Sequence, residues 1–124
     1  NLCNLNVELI TWAMKILKIK KNIFFSDKLK SGGKKTIKII NICNELKNRN
    51  YLSTPGSVDY IQNERNLIKE SNINLYFHNY EHPKYKQDFG KFLPYASIID
   101  LIFNEGENSL TIIKSGRKKL ERFF

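Results

Sequence analysis

Apolar residues recur at helical spacing almost from the first position. Leu5, Leu9, Trp12, Ile16 and Ile19 fall three or four apart, with Lys15 and Lys18 on another side. Asn4 or Asn6 is placed to cap the helix they predict. NIFFS, residues 22–26, is short, apolar and flanked by polar residues, which predicts a buried strand. DKLKSGGKK follows as a loop, with Gly32 and Gly33 as breakers. Thr36 caps or opens a second helix whose apolar face is Ile39, Ile40, Cys43 and Leu46, with Lys38, Asn41, Glu45 and Lys47 turned out.

YLS, residues 51–53, predicts a second strand, and TPGS turns the chain into a helix capped by Ser57 and running to Glu70. In NINLYFHN, Ile73, Leu75 and Phe77 alternate with Asn74, Tyr76 and His78, the period of a strand. Pro83 and Gly90 then break regularity. SIIDLIFNEG predicts a helix capped by Ser97, packed through Ile98, Leu101 and Ile102, and ended by Gly106. A last helix starts near Ser109 and bends near Gly116. Helices alternating with strands predict an α/β fold: a mostly parallel, Rossmann-like sheet with flanking helices. Ligands of such sheets bind outside the carboxyl ends of the strands, which would gather FFSD, YLSTPG and FHNY at one edge.

The chain has 124 residues, enough for one α/β domain over 1–124. It starts without Met and with a helical pattern already under way. The expectation is that an N-terminal portion of a longer chain is missing and that the fold is incomplete without it. No apolar run approaches the ~20 residues of a membrane span, and the first residues lack the basic leader and cleavage site of a signal peptide. Cys3 and Cys43 lack a metal-type spacing. They read as two thiols of a reducing cytoplasm, with a disulfide left open.

The net charge of +9 suits nucleic acid or an anionic surface. But Lys greatly outnumbers Arg, and the basic residues are spread out. The clusters are Lys18, Lys20 and Lys21, then Lys34, Lys35 and Lys38, then Arg117, Lys118 and Lys119. Spacing of this kind reads as solvated faces, so nucleic acid is the least favoured partner.

Chemistry concentrates in two stretches. In YLSTPGS, backbone N–H groups with Ser53, Thr54 and Ser57 can hold an anion, and Gly56 lets a ligand approach the backbone. A strand-to-helix turn with a serine cap explains the same residues. No P-loop motif occurs. His78 and His82 lie four apart, but Pro83 opposes the helix that would make them half of a zinc site, and no third ligand is suggested. His82 alone can act as a general acid or base, as an anchor, or as a solvated loop histidine. Tyr85, Gln87, Phe89, Phe92 and Tyr95 suit a sugar ring or base, and equally a loop pinned to a core. Asp100 and Asn104 share one helix face, able to bind hydroxyls or an amine, or simply to cap and end the helix.

YLSTPGSVDYI together with HPKYKQDFGKFLPYASIIDLIFNEG resembles the C-terminal half of the WbqC-like family. Tyr85-x-Gln87, the run Ser97-Ile98-Ile99-Asp100 and Asn104-x-Gly106 carry the resemblance. It implies a cytoplasmic protein of bacterial surface-polysaccharide biosynthesis, a transferase acting on an activated amino sugar such as an acyltransferase. A nucleotide sugar or other small molecule is the implied partner; the cofactor is undetermined. Ser53, Gly56, Tyr60, Tyr85, Gln87, Ser97 and Asn104 are the implied substrate-binding residues, with Asp100 and His82 catalytic. Within that set, Ser53 and Gly56 would meet an anionic group, Tyr85 and Gln87 would orient the sugar or nucleotide, and Asp100 would be the catalytic or amine-binding carboxylate. A non-catalytic binding or assembly module is the alternative.

Overall fold

The first helix begins where the chain does. Asn1 accepts a hydrogen bond from the Cys3 N–H at 2.9 Å and caps α1, Leu2–Ile16. The cap is therefore Asn1, and Asn4 and Asn6 lie inside the helix. The structure is a computed structural model; its described residues are 1–123, without the side chains of Asp59, Tyr60 and Glu121. The remaining elements are α2 (Lys35–Glu45), β1 (Asn50–Ser53), α3 (Val58–Asn63), α4 (Arg65–Glu70), β2 (Asn74–Phe77), α5 (Ile98–Glu105), α6 (Ser109–Ser115) and β3 (Glu121–Arg122). Short 3₁₀ turns, Pro55–Ser57 and Gly106–Asn108, lead into α3 and α6. Chain contacts fall into two compact units: Asn1–Asn22 with Tyr80–Arg117, and Ile23–Asn79 with the stretch from Lys118.

In the first unit, Ala13 and Leu17 of α1 and its exit pack with Ile102 of α5, and Trp12, Ile19, Leu110 and Ile113 close around them. The buried stripe is thus Ala13 and Leu17, while Leu5, Leu9 and Ile16 of the expected face stay exposed. Gly116 is buried against Tyr80 and the Glu81 carbonyl, beside a bridge between Tyr80 and Arg117. A Cβ there would lie 2.7 Å from the Tyr80 ring. The final helix accordingly ends at Ser115 rather than bending onward.

The second unit is built on a three-stranded sheet in the order β1-β2-β3. β1 and β2 run parallel, with Asn50 beside Asn74 and Ser53 beside Phe77. β3 runs antiparallel to β2, and the Phe123 N–H donates to the Leu75 carbonyl at 2.9 Å. Cys43, Ile61, Ile68, Ile73 and Leu75 form the core, with Ile39, Ile40, Tyr51 and Phe77 around them. Burying each such aliphatic side chain contributes roughly 1.5–3 kcal/mol. The alternation in NINLYFHN is real: Ile73 and Leu75 are buried, and Asn74 and Tyr76 are less so.

Among the described residues the fold is mixed α/β and mostly helical, with one parallel strand pair. Two expectations need correction. Residues 22–26 are not a strand. Ile23, Phe24 and Phe25 are exposed, and their stretch joins no ladder among the described residues. A short apolar run lacks the alternation that pins a strand to one face, so nothing local specifies its pairing. The helix expected from Ser57 to Glu70 is broken at Glu64, whose backbone leaves the helical region, into α3 and α4. Ile61 and Ile68 are buried on either side of the break. Among the described residues, no helix is long and apolar enough to cross a membrane.

Candidate functional site

The chemistry-bearing residues of the first unit converge on α5. Ser97 opens this helix by accepting from the Ile99 N–H at 3.2 Å, and Gly106, at φ 49°, closes it. Asp100 lies in the first turn and Asn104 one turn later on the same face. The irregular stretch from Tyr85 to Leu93 is bonded to that face. The Tyr85 hydroxyl donates to Asp100 Oδ2 at 2.6 Å, and Gln87 Nε2 donates to the same oxygen at 2.8 Å. Asn104 Nδ2 donates to Asp100 Oδ1 at 3.2 Å and to the Asp100 carbonyl at 2.8 Å. Asn104 Oδ1 accepts from the Asp88 N–H, and Glu105 accepts from the Lys86 N–H.

These donors settle the charge of Asp100. The Tyr85 hydroxyl, then the Gln87 amide, and more weakly Asn104 hold its carboxyl below the usual carboxylate range, against the opposing effect of burial. Burial and the bond to Asp100 push the Tyr85 phenol up, with Gln87 opposing. Asp100 is therefore an anion at neutral pH, and among the described residues no cation pairs with it. It lines a cleft of about 370 Å³ with Gln87, Asp88, Phe89, Leu93, Phe103 and Asn104 among the walls. Phe89 is 93% exposed and Phe103 78%, so aromatic faces stand open beside two carboxylates.

Gln87 is a brace as well as a donor. Its Oε1 accepts from the Leu93 N–H at 2.7 Å and its Nε2 also donates to the Leu93 carbonyl at 3.2 Å. It closes the turn around Gly90, whose φ of 75° suits glycine. His82 stands behind Tyr85. Its Nε2 accepts from the Tyr95 N–H at 3.3 Å, and its ring lies 4.8 Å from Tyr95, 6.1 Å from Phe92 and 6.3 Å from Tyr85. Its Nδ1 is buried without a hydrogen-bond partner among the described residues.

Ser53, Gly56 and Tyr60 belong to the other unit. The Ser53 and Ser57 hydroxyls bond each other at 2.5 Å, and Ser57 also donates to the Thr54 carbonyl at 2.7 Å. The hydroxyls are thus engaged internally, while Gly56 is exposed. Ser57 makes no side-chain cap to α3, so its turn is held by the Thr54 bond instead. The Tyr60 side chain lies outside the described residues. The sequence reading missed Asp88, Leu93 and Phe103. Phe103 is i+3 from Asp100, and that spacing was the available signal. The Leu93 backbone carried none. Cys3 and Cys43 are both free, the first exposed and the second buried.

The first unit thus presents an internally braced carboxylate beside open aromatic faces, in a chain of mixed α/β class. The chain belongs to the WbqC-like protein family, whose profile matches residues 1–112. It is also similar to an uncharacterized protein, Rv1507c, of Mycobacterium tuberculosis (strain ATCC 25618 / H37Rv), at 30% identity over 107 residues. That match covers 86% of this chain and 46% of the relative, so the chain spans about half the length of the curated protein it matches. No solved structure matches the chain.

Proposed function

We propose that the Asp100 cleft binds the amino group of an activated amino sugar, and that the protein serves as a transferase in bacterial surface-polysaccharide biosynthesis. The observation that carries this reading is the ionised Asp100, held by three neutral donors and paired with no cation among the described residues. An ammonium group supplies the missing charge, and the exposed rings of Phe89 and Phe103 suit the apolar face of a sugar. A carboxyl held below its usual range is a weak base. Asp100 accordingly orients the amine, and His82 remains the candidate for proton transfer. Tyr85, Gln87 and Asn104 fix the carboxylate, and Ser97 fixes the helix that carries it. On this reading β1 and β2 are part of a larger Rossmann-like sheet, completed by a further portion of the chain.

The test is calorimetric titration with nucleotide sugars that differ only at one position, bearing an amine, an acetamide or a hydroxyl. The amine is expected to bind about tenfold tighter, the size of one charge-assisted contact. Asp100→Asn should remove that preference. Equal binding of all three ligands by the unaltered chain would sink the proposal.

A second reading, a non-catalytic binding or assembly module, has its own support. Phe89, Leu93, Tyr95 and Phe103 are all largely exposed in the first unit. Binding of a protein partner that is lost in Phe89→Ala, without any nucleotide-sugar binding, would favour it.

A further inference from the structure

α1 is buried along one line only. Ala13 and the exit residue Leu17 meet the core of the first unit, with Trp12 and Ile19 partly buried beside them. Leu2, Leu5, Leu9 and Ile16 are exposed, Leu2 by 72% and Leu5 by 56%. With Trp12 they recur at alternating steps of three and four residues. That is the period of about 3.5 that makes a seam for a second helix. We propose that this seam joins two copies of the chain, with α1 of one packed antiparallel against α1 of the other across a two-fold axis.

The flanks of the seam select this occupant. Glu8 and Lys15 lie seven residues apart on one flank, and both are exposed. Neither makes an ion pair among the described residues. The opposite flank carries Asn6 and Ala13, and Ala13 is buried in the core of its own unit. In a parallel pair, the Glu8 flank of one helix meets the Asn6–Ala13 flank of the other, so no opposite charges come together. In an antiparallel pair, like flanks meet. Glu8 of each copy then faces Lys15 of the other, twice by symmetry. Exposed ion pairs of this kind add little affinity. They choose orientation and register instead.

Affinity comes from the apolar surface. Ile10 and Ile98 widen it, and with Leu9 and Met14 they wall a groove of about 260 Å³. Single apolar residues on a surface need no partner, but a contiguous row along a helix marks an interaction face. α1 has 15 residues, which makes it about 22 Å long. Two helices of that length cover less than the ~1,600 Å² of a standard interface. The dimer is therefore a reversible one, set by concentration. This inference goes beyond the amine-binding reading of Asp100 and can fail without it.

The test is sedimentation velocity of the full chain over a concentration series at low salt. A reversible rise from the mass of one chain to that of two is expected. Leu5→Gln and Leu9→Gln should each weaken the dimer about tenfold. Both leucines are exposed, so the unit keeps its fold. Glu8→Lys and Lys15→Glu should each weaken the dimer as well. Mixed together, these two variants should form a heterodimer tighter than either homodimer, and the chain carrying both changes should regain the parent affinity. A chain that is monomeric at every concentration would overturn the proposal. If that monomer binds phosphatidylglycerol vesicles, or buries Leu5 and Leu9 under a further portion of a longer chain, that occupant takes the face instead. A dimer that ignores the leucine substitutions would also overturn it, and charge variants that fail to rescue each other would overturn the antiparallel pairing.

Discussion

Asp100 shows how much one side chain's chemistry depends on its neighbours. Its carboxyl is held low by Tyr85 first and Gln87 second. The folded value therefore lies below the unfolded one, so these bonds contribute fully above the ordinary carboxylate range. Their contribution is lost as pH falls through the folded value. In Tyr85→Phe the Asp100 carboxyl should titrate higher than in the parent chain, as read by ¹³C NMR of the carboxyl carbon. The same variant should show a weaker loss of stability on acidification. An unchanged Asp100 titration would mean that the short Tyr85 bond does not hold the charge. The pairing of Asp100 with Asn104 was legible, because four residues along a helix bring side chains together. The bracing of Gln87 against Leu93 was not, because it depends on the path of an irregular loop.

Helix ends explain most of what the sequence hid at the scale of elements. α5 was legible at both ends, since Ser97 and Gly106 are ordinary start and stop residues. α1 and α2 end differently. Lys18 and Lys47 take the left-handed conformation, at φ 54° and 51°. After α1, Ile19 N–H bonds Met14 and Lys18 N–H bonds Lys15; after α2, Asn48 bonds Cys43 and Lys47 bonds Asn44. These are Schellman closures built on lysine, where glycine is the common residue. Reading breakers from Gly and Pro cannot find them. Lys47→Gly should therefore raise stability by up to about 1 kcal/mol in urea unfolding, by relieving left-handed strain, partly offset by the entropy of the freer unfolded chain. A destabilised variant would show that the Lys47 side chain matters beyond its backbone. The break at Glu64 had no breaker to announce it either. The exposed run at residues 22–26 was misread because apolar content alone does not specify a strand's partner.

At the scale of the whole molecule, the α/β class was legible from the alternation around Leu75 and the helical spacing in α2 and α5. The strand partners were not, because β3 is only Glu121–Arg122 and too short to give a period. Leu75 is the centre of the second unit: it is fully buried, sits in the core cluster, and its carbonyl accepts the bond from Phe123. Leu75→Ala should cost about 2–5 kcal/mol, read as a lower urea midpoint with little change in slope. A loss under about 1 kcal/mol would mean that the site collapses around the smaller residue.

Each unit is closed by a segment drawn from far along the chain. Residues 1–22 wait for Tyr80–Arg117, and the β1–β2 pair waits for β3. During translation, then, the first unit cannot finish before the stretch up to Arg117 has emerged, nor the second before Glu121–Arg122. Nascent chains stalled before Tyr80 should leave the apolar residues of α1 open to protease and chaperone, and resistance should arrive late.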